Sequence, residues 1–321
     1  MTLLGSAPAV QSRAGCYARL GVIAAVGSLV AACGSSDGEN PSNVTGRNGK
    51  IAFQAFSDAS RPSDGIYLIN PDGSGRSRLK GQPAESAAPR WSPDGQRLLL
   101  TVLVPTANTV ALDVINADGT HLKSLLVGRG EPADGYPGYA DWSPDGRKLV
   151  FIRGRLCSKF ICDASLNILD LSTHQVRRLV NNVLGLSPPA WSPDGRLIAF
   201  TRNRQIWLVT PDGRNPKALT SLAGLNLYPS WSPDGSRLAF TQIAHTTIVY
   251  TIGADGHHLQ RLLQGANEAA AAWSPDGRRF VYVHDGLNSG DIYAANRDGT
   301  AAMPLTHDRS DETLPDWQPL P

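Results

Sequence analysis

This chain carries no Walker motif and no Rossmann glycine pattern, which removes the common phosphate-binding loops. Its seven histidines form no HxH or HExxH pair, so no zinc-protease helix is written into it. No amphipathic helical period lies between its repeats, which argues against helical arrays. One apolar run, residues 20–32, stands out, and it is too short for a comfortable membrane span. An excess of one charge is missing too. The formal net charge is +2, both excess positives (Arg13 and Arg19) lie near the N terminus, and residues 33–321 balance 28 basic against 28 acidic side chains. A balanced surface disfavours general attraction to nucleic acid or to an anionic membrane. Cysteine is scarce, with four residues in 321.

Glycine and proline are plentiful, 32 and 23 residues, a composition suited to many short strands joined by turns. The stretch Trp-Ser-Pro-Asp-Gly begins at Trp91, Trp142, Trp191, Trp231 and Trp273, and a worn copy, Trp317-Gln318-Pro319, closes the series. The tryptophans are 51, 49, 40, 42 and 44 residues apart. A self-similar period in the forties predicts a propeller or a helical array. Short apolar, partly β-branched runs follow each full copy, at 98–102, 148–152, 197–201, 238–241 and 280–283. Such runs, bounded by Pro-Asp-Gly turns, predict strands. Proline presets φ for the first central turn position, aspartate bonds the local backbone, and glycine takes the left-handed position. Ser-Pro-Asp-Gly is therefore hairpin chemistry and not a catalytic signature.

A second motif, at residues 66–73, ends in Asn70-Pro71-Asp72-Gly73 and returns at 112–119, 206–213, 248–256 and 292–299. The third unit keeps the strand at 168–173 but loses the Asp-Gly. A short fourth strand follows each, as at Arg78-Leu79 and Arg261-Leu262. The expectation is all-β: a six-bladed β-propeller of four-stranded blades over residues 50–321. This pattern resembles the WD40-like repeat of TolB-type β-propellers, over about residues 50–319. The chain leaves no room for the separate N-terminal α/β domain of TolB itself.

By analogy with WD repeats, the chain starts on a second strand and ends on an inner strand. The strand around Asp316-Trp317 should then pair with residues 51–53 and close the ring. Both kinds of repeated turn should lie on one face. The opposite face should carry the longer connections, 54–65, 103–108, 128–139, 153–164, 284–290 and 306–313. Binding residues favour such loops, so this face and the channel mouth are the expected site. Each inner strand places one residue before its tryptophan, and blade order sets Arg90 between Asp316 and Asp141. That trio reads either as structural pairing or as a polar ligand anchor. Tyr136 and Tyr139 lie in a Pro- and Gly-rich segment suited to an interface anchor. His284 and Asp285, with His245, stand at loop entrances on the same face. The pair His257-His258, beside an Asp-Gly turn, reads as solvated.

Residues 1–32 read as a secretion signal ending Val30-Ala31-Ala32-Cys33, which resembles the bacterial lipobox and implies diacylglycerol on Cys33. Gly34 follows where some lipoproteins carry an inner-membrane retention aspartate, so outer-membrane sorting is expected. Residues 33–49 read as a flexible tether, in which the formal G-x-S-x-G at 34–38 is accidental. Cys157 and Cys162 share one connection beyond the membrane, where a disulfide is expected.

The resemblance implies a non-enzymatic envelope lipoprotein whose propeller binds a protein or glycan partner. TolB-type propellers bind envelope partners, including a peptidoglycan-associated lipoprotein. A monomer is expected, with no cofactor, no metal and no nucleic-acid partner. The alternative is a carbohydrate-active propeller enzyme, a lyase or hydrolase, with its site at the channel mouth. Without a second α/β-hydrolase domain, a prolyl-oligopeptidase-like peptidase is disfavoured.

Overall fold

The computed structural model describes residues 47–56, 65–129, 135–157, 160–263, 265, 267–285, 290–307 and 310–320. The expected signal, Cys33 and most of the tether lie outside them, as do the side chains of 156–162 and 285. The first strand, Arg47–Phe56, begins three residues before the expected start at Lys50.

The described residues form six antiparallel sheets of four strands each. Inner strands of neighbouring blades touch in sequence, and the sixth returns to the first, so the blades close a ring. The first blade is assembled from both ends of the chain. Strand Asp311–Leu320 pairs with Arg47–Phe56, setting Ile51 against Trp317 and Ala52 against Asp316. The ring closes as its repeat phase requires. The worn copy contributes a tie of its own. Gln318 accepts from the Lys50 N–H at 2.9 Å and donates to the Gly95 carbonyl of the second blade at 2.7 Å.

Six apolar clusters lie between adjacent blades, and strand alternation builds them. Ile51 and Phe53 join Val281, Ile292 and Leu305 of the sixth blade. Ala52, one residue from each, joins Trp91, Leu98 and Leu100 of the second. The repeated tryptophans are buried in these seams, and two of their indole N–H groups tie blades together. Trp142 donates to the Arg90 carbonyl at 3.3 Å and Trp231 to that of Ala190 at 3.2 Å, while Trp317 donates to Gly49 within its own blade at 3.2 Å.

The turns repeat one hydrogen-bond set. In the second blade the Ser92 hydroxyl donates to Asp94 Oδ1 and accepts from the Arg97 N–H. Asp94 also accepts from the Gln96 N–H, and the Gly95 N–H donates to the Ser92 carbonyl. Ser143, Ser192, Ser232 and Ser274 make the same hydroxyl-to-aspartate bond at 2.6 Å. Gly95 and its four counterparts have φ between +67° and +74°, which is why glycine is needed there. The third blade replaces its missing Asp-Gly with Asp170, which accepts from the Ser172 and Thr173 N–H groups and the Ser172 hydroxyl. Those bonds pull the Asp170 carboxyl down to about 2.

The loop face is tighter than its sequence suggests. Residues 153–157 and 160–164 are strand, within Lys148–Cys157 and Phe160–Asp170. Tyr136 and Tyr139 belong to the inner strand Tyr136–Trp142, and His284 and Asp285 end the strand Arg279–Asp285. Cross-strand pairing carried these hairpins further than turn-type composition indicated. Among the described residues no helix is long and apolar enough to cross a membrane.

Candidate functional site

The inner strands build the channel, and each strand but one carries a bulge three residues before its tryptophan. Ala88, Tyr139, Tyr228, Ala270 and Leu314 have φ from +44° to +56°. Strand register slips beside each of them. None is glycine, so the left-handed backbone is a local cost, met by the preceding blade. The Tyr139 N–H donates to Thr101 Oγ1 at 3.2 Å and the Tyr228 N–H to Ser187 Oγ at 2.8 Å. The Ala270 N–H donates to Thr241 Oγ1 at 2.9 Å and the Ala88 N–H to Gln54 Oε1 at 3.3 Å. The fourth blade has Pro188 at this position, and proline cannot take positive φ. Its inner strand is only the two residues Ala190–Trp191.

Arg90 stands between Asp316 and Asp141, as blade order implies. Its guanidinium meets Asp316 at 3.1 Å, with both side chains at least four-fifths buried. Asp316 also accepts the Trp91 N–H at 2.7 Å, and Asp141 accepts the Trp191 N–H at 2.8 Å. Burial pushes the Asp141 carboxyl up to about 6, against the pull of Arg90 and the Trp191 N–H and with the push of Asp316. Burial raises Asp316 as well, opposed by Arg90 and the Trp91 N–H. All three residues immediately precede the tryptophan that enters the turn. They therefore lie toward the turn end of the inner strands. Each carboxylate joins two blades.

At the loop face Tyr136 is 6% exposed, which leaves it little surface to offer. Tyr139 and Tyr228 are half-buried, and each packs on an apolar cluster. Tyr228 carried no motif of its own; its position relative to Trp231 is the signal that finds it.

His284 lies in a row across the sixth blade. Its cross-strand partners are Glu268 on one side and Asp291 on the other, and its ring lies 4.8 Å from Tyr293. Glu268 is 4% exposed, its Oε2 has no hydrogen-bond partner, and burial raises its pKa against the pull of Arg261 and the Gly265 N–H. Glu312 fills the same repeat position in the first blade, but there Arg76 pairs with it at 3.0 Å and the Thr306 hydroxyl donates to it. Glu268 and Asp291 were missed because neither belongs to a repeated motif. Asp285 pairs through its backbone with Gly290.

Cys157 is set opposite Phe160 and Cys162 opposite Arg155, so the cysteines are diagonal neighbours on adjacent strands. His257 and His258 are exposed, as is His245. Among the described residues no three His, Cys, Asp or Glu side chains are grouped to hold a metal ion.

A family model described as the TolB beta propeller domain matches residues 141–320. The fold is similar to that of TolB from Acinetobacter baumannii, with 21% identity and a TM-score of 0.68, covering 84% of this chain and 66% of that one. This chain thus spans just under two thirds of the Acinetobacter protein. A putative TolB from Agrobacterium tumefaciens gives 19% identity and a TM-score of 0.62, covering 86% of this chain and 99% of that one. Hydrazine synthase from Kuenenia stuttgartiensis gives 14% identity and a TM-score of 0.66, covering 87% of this chain and 48% of that one. At these identities the structural likeness shows the fold alone, and one fold hosts unrelated activities.

Proposed function

Because this chain belongs to the TolB β-propeller domain family, we propose that it is a non-catalytic scaffold of the bacterial cell envelope that holds a protein or glycan partner on its loop face. The observation that carries this reading is the pair Tyr139 and Tyr228. Both are half-buried, and both stand on left-handed backbone tied to the preceding blade. Tyrosine brings a large amphipathic ring with few rotatable bonds, and a fixed backbone lowers the ordering cost of binding further. The inner turns of five blades repeat one Ser–Asp chemistry. In this reading Cys33 carries the lipid, residues 33–46 tether a monomeric propeller to the outer membrane on its periplasmic side, and nucleic acid is not a partner.

The test is capture of crosslinked partners from intact envelopes. Tyr139→Ala with Tyr228→Ala should lose them, while Ser74→Ala with Arg214→Ala on the turn face should keep them. Alanine already occupies the same left-handed position at Ala88 and Ala270, so the backbone accepts the change; the lost ring packing should lower the melting temperature modestly, and capture is compared where circular dichroism shows both variants folded. Equal capture by both pairs of variants sinks the loop-face reading. Cys33→Ser should move the protein from the detergent to the aqueous phase on partitioning; unchanged partitioning removes the lipid.

The Glu268–His284–Asp291 row supports a second reading, a carbohydrate-active enzyme in which Glu268 or His284 moves the proton. Glu268→Gln and His284→Ala would then abolish cleavage of envelope glycans without changing partner capture.

A further inference from the structure

The residue six positions after each tryptophan covers the next blade's tryptophan at three seams of the ring. The Arg97 guanidinium lies 5.1 Å from the Trp142 ring centroid, and that of Arg279 lies 5.8 Å from Trp317. Leu197 packs in the cluster that holds Trp231. Arg237 has the same position between the fifth and sixth blades, but it is held elsewhere. Its Nη2 donates to Thr251 Oγ1 at 3.1 Å, to the His258 carbonyl at 2.9 Å and to Gln260 Oε1 at 3.1 Å. A cavity of about 230 Å³ remains at this seam, lined by Trp273, Arg237, Thr251, Arg261, Arg297 and Asp298 among others. Arg297, Asp298 and Gln260 are exposed, so the cavity opens to solvent.

Three guanidinium groups and one carboxylate line the cavity, and Glu268 acts on Arg261 and Asp234 on Arg297 from beside it, which leaves Arg237 as the anchor for an anion. The Asp298 carboxylate is engaged by the Thr300 N–H and hydroxyl. Every acceptor that holds Arg237 is neutral, and all of them use one nitrogen. Its orientation is therefore fixed while Nε and Nη1 keep donors for an oxyanion. Arg261 is oriented in a similar way, through Nε to the Leu263 carbonyl at 2.8 Å and Nη2 to the Gly265 carbonyl at 2.7 Å. The indole N–H of Trp273 is buried without an acceptor, as is that of Trp91, whereas Trp142 and Trp231 bond the preceding blade. On size, an apolar cavity of about 150 Å³ holds benzene, so this one has room for a ring and one oxyanion group.

We propose that the seam between the fifth and sixth blades binds a small ring-bearing oxyanion, its carboxylate or phosphate on Arg237 and its flat face against Trp273. The site lies on the turn side, independent of the loop-face partner. Phenyl phosphate, benzoate, inorganic phosphate and benzylamine would be titrated into the full chain by calorimetry, with the Trp273 indole N–H resonance as a local reporter. At least one of the two aromatic anions should bind and shift that resonance, and which binds tighter separates phosphate from carboxylate. Inorganic phosphate should bind more weakly and benzylamine not at all. Arg237→Gln should weaken binding roughly tenfold or more, and Arg97→Gln at another seam should leave it unchanged. Gln260→Ala with Thr251→Val keeps every charge but removes both side-chain acceptors that hold Arg237 away from Trp273, and it too should lose binding. That double variant decides the matter should Arg237→Gln not fold. No binding by either aromatic anion, equal binding of benzylamine, or full binding by both Arg237→Gln and the Gln260→Ala, Thr251→Val double variant overturns the site.

Discussion

The Asp316 carboxylate accepts the backbone N–H of Trp91 at 2.7 Å, so the residue before one blade's tryptophan holds the tryptophan of the next. Asp141 does the same for Trp191. The charges nearest the axis thus act first as fasteners between blades.

Removing Arg90 should expose this role. Arg90→Met leaves the mostly buried Asp316 carboxylate without its cation and should cost about 2–3 kcal/mol at neutral pH. Arg90→Met with Asp316→Asn should recover much of that loss, because an amide needs no counter-charge. Urea unfolding of the four proteins measures the coupling. Simple addition of the two single losses would show that the residues act separately.

Asp141 should make stability depend on pH. Its folded-state pKa of about 6 is raised above an unfolded value near ~3.9. The sign follows from proton linkage: this contribution is fully present below about pH 4 and lost as pH rises through about 6. Asp141→Asn does not titrate and can still accept the Trp191 N–H. Its stability relative to the parent should rise between pH 4 and 7, by about 2–3 kcal/mol, and then level off. A difference that stays flat across this range would contradict the raised carboxyl.

The turn serines should contribute separately. Ser143→Ala and Ser274→Ala each remove the hydroxyl that links Asp145 or Asp276 to the N–H of Lys148 or Arg279. Each should cost about 1 kcal/mol. The two turns belong to the third and sixth blades, so the double variant should lose the sum. Thermal melts at matched pH check this.

Deleting residues 313–321 should unfold the protein. It removes most of the inner strand of the first blade together with Trp317, 4% exposed. Burial of such a side chain is worth on the order of 3 kcal/mol, a large share of a domain's net stability. Insolubility or cooperative loss of β signal in circular dichroism is expected. A soluble deletion variant with the parent's melting transition would falsify the role of closure.

Much of the architecture was legible because Ser92, Asp94 and Gly95 and their repeats solve a local problem with local atoms. Blade number, strand phase and ring closure followed from that repetition. The bulge was not legible. Ala88, Tyr139, Tyr228, Ala270 and Leu314 share no chemistry, and the first four are held by hydrogen bonds from another blade. Tyr136 and Tyr139 looked alike in sequence, yet one is buried and the other half-buried, because register places them differently. The diversion of Arg237 depends on Thr251, the His258 carbonyl and Gln260 together, and no spacing rule connects them.

Ring closure also sets an order in time. The Lys50 N–H and its acceptor Gln318 are 268 positions apart. A ribosome delivers the strand Arg47–Phe56 early and its partner Asp311–Leu320 only after every other blade. At ordinary elongation rates that interval is on the order of tens of seconds. Throughout it the first blade presents an unpaired inner edge, a template for any other extended chain. Assembly is a race between arrival of the tail and capture by a neighbour, and a holding factor that covers Arg47–Phe56 would favour the tail.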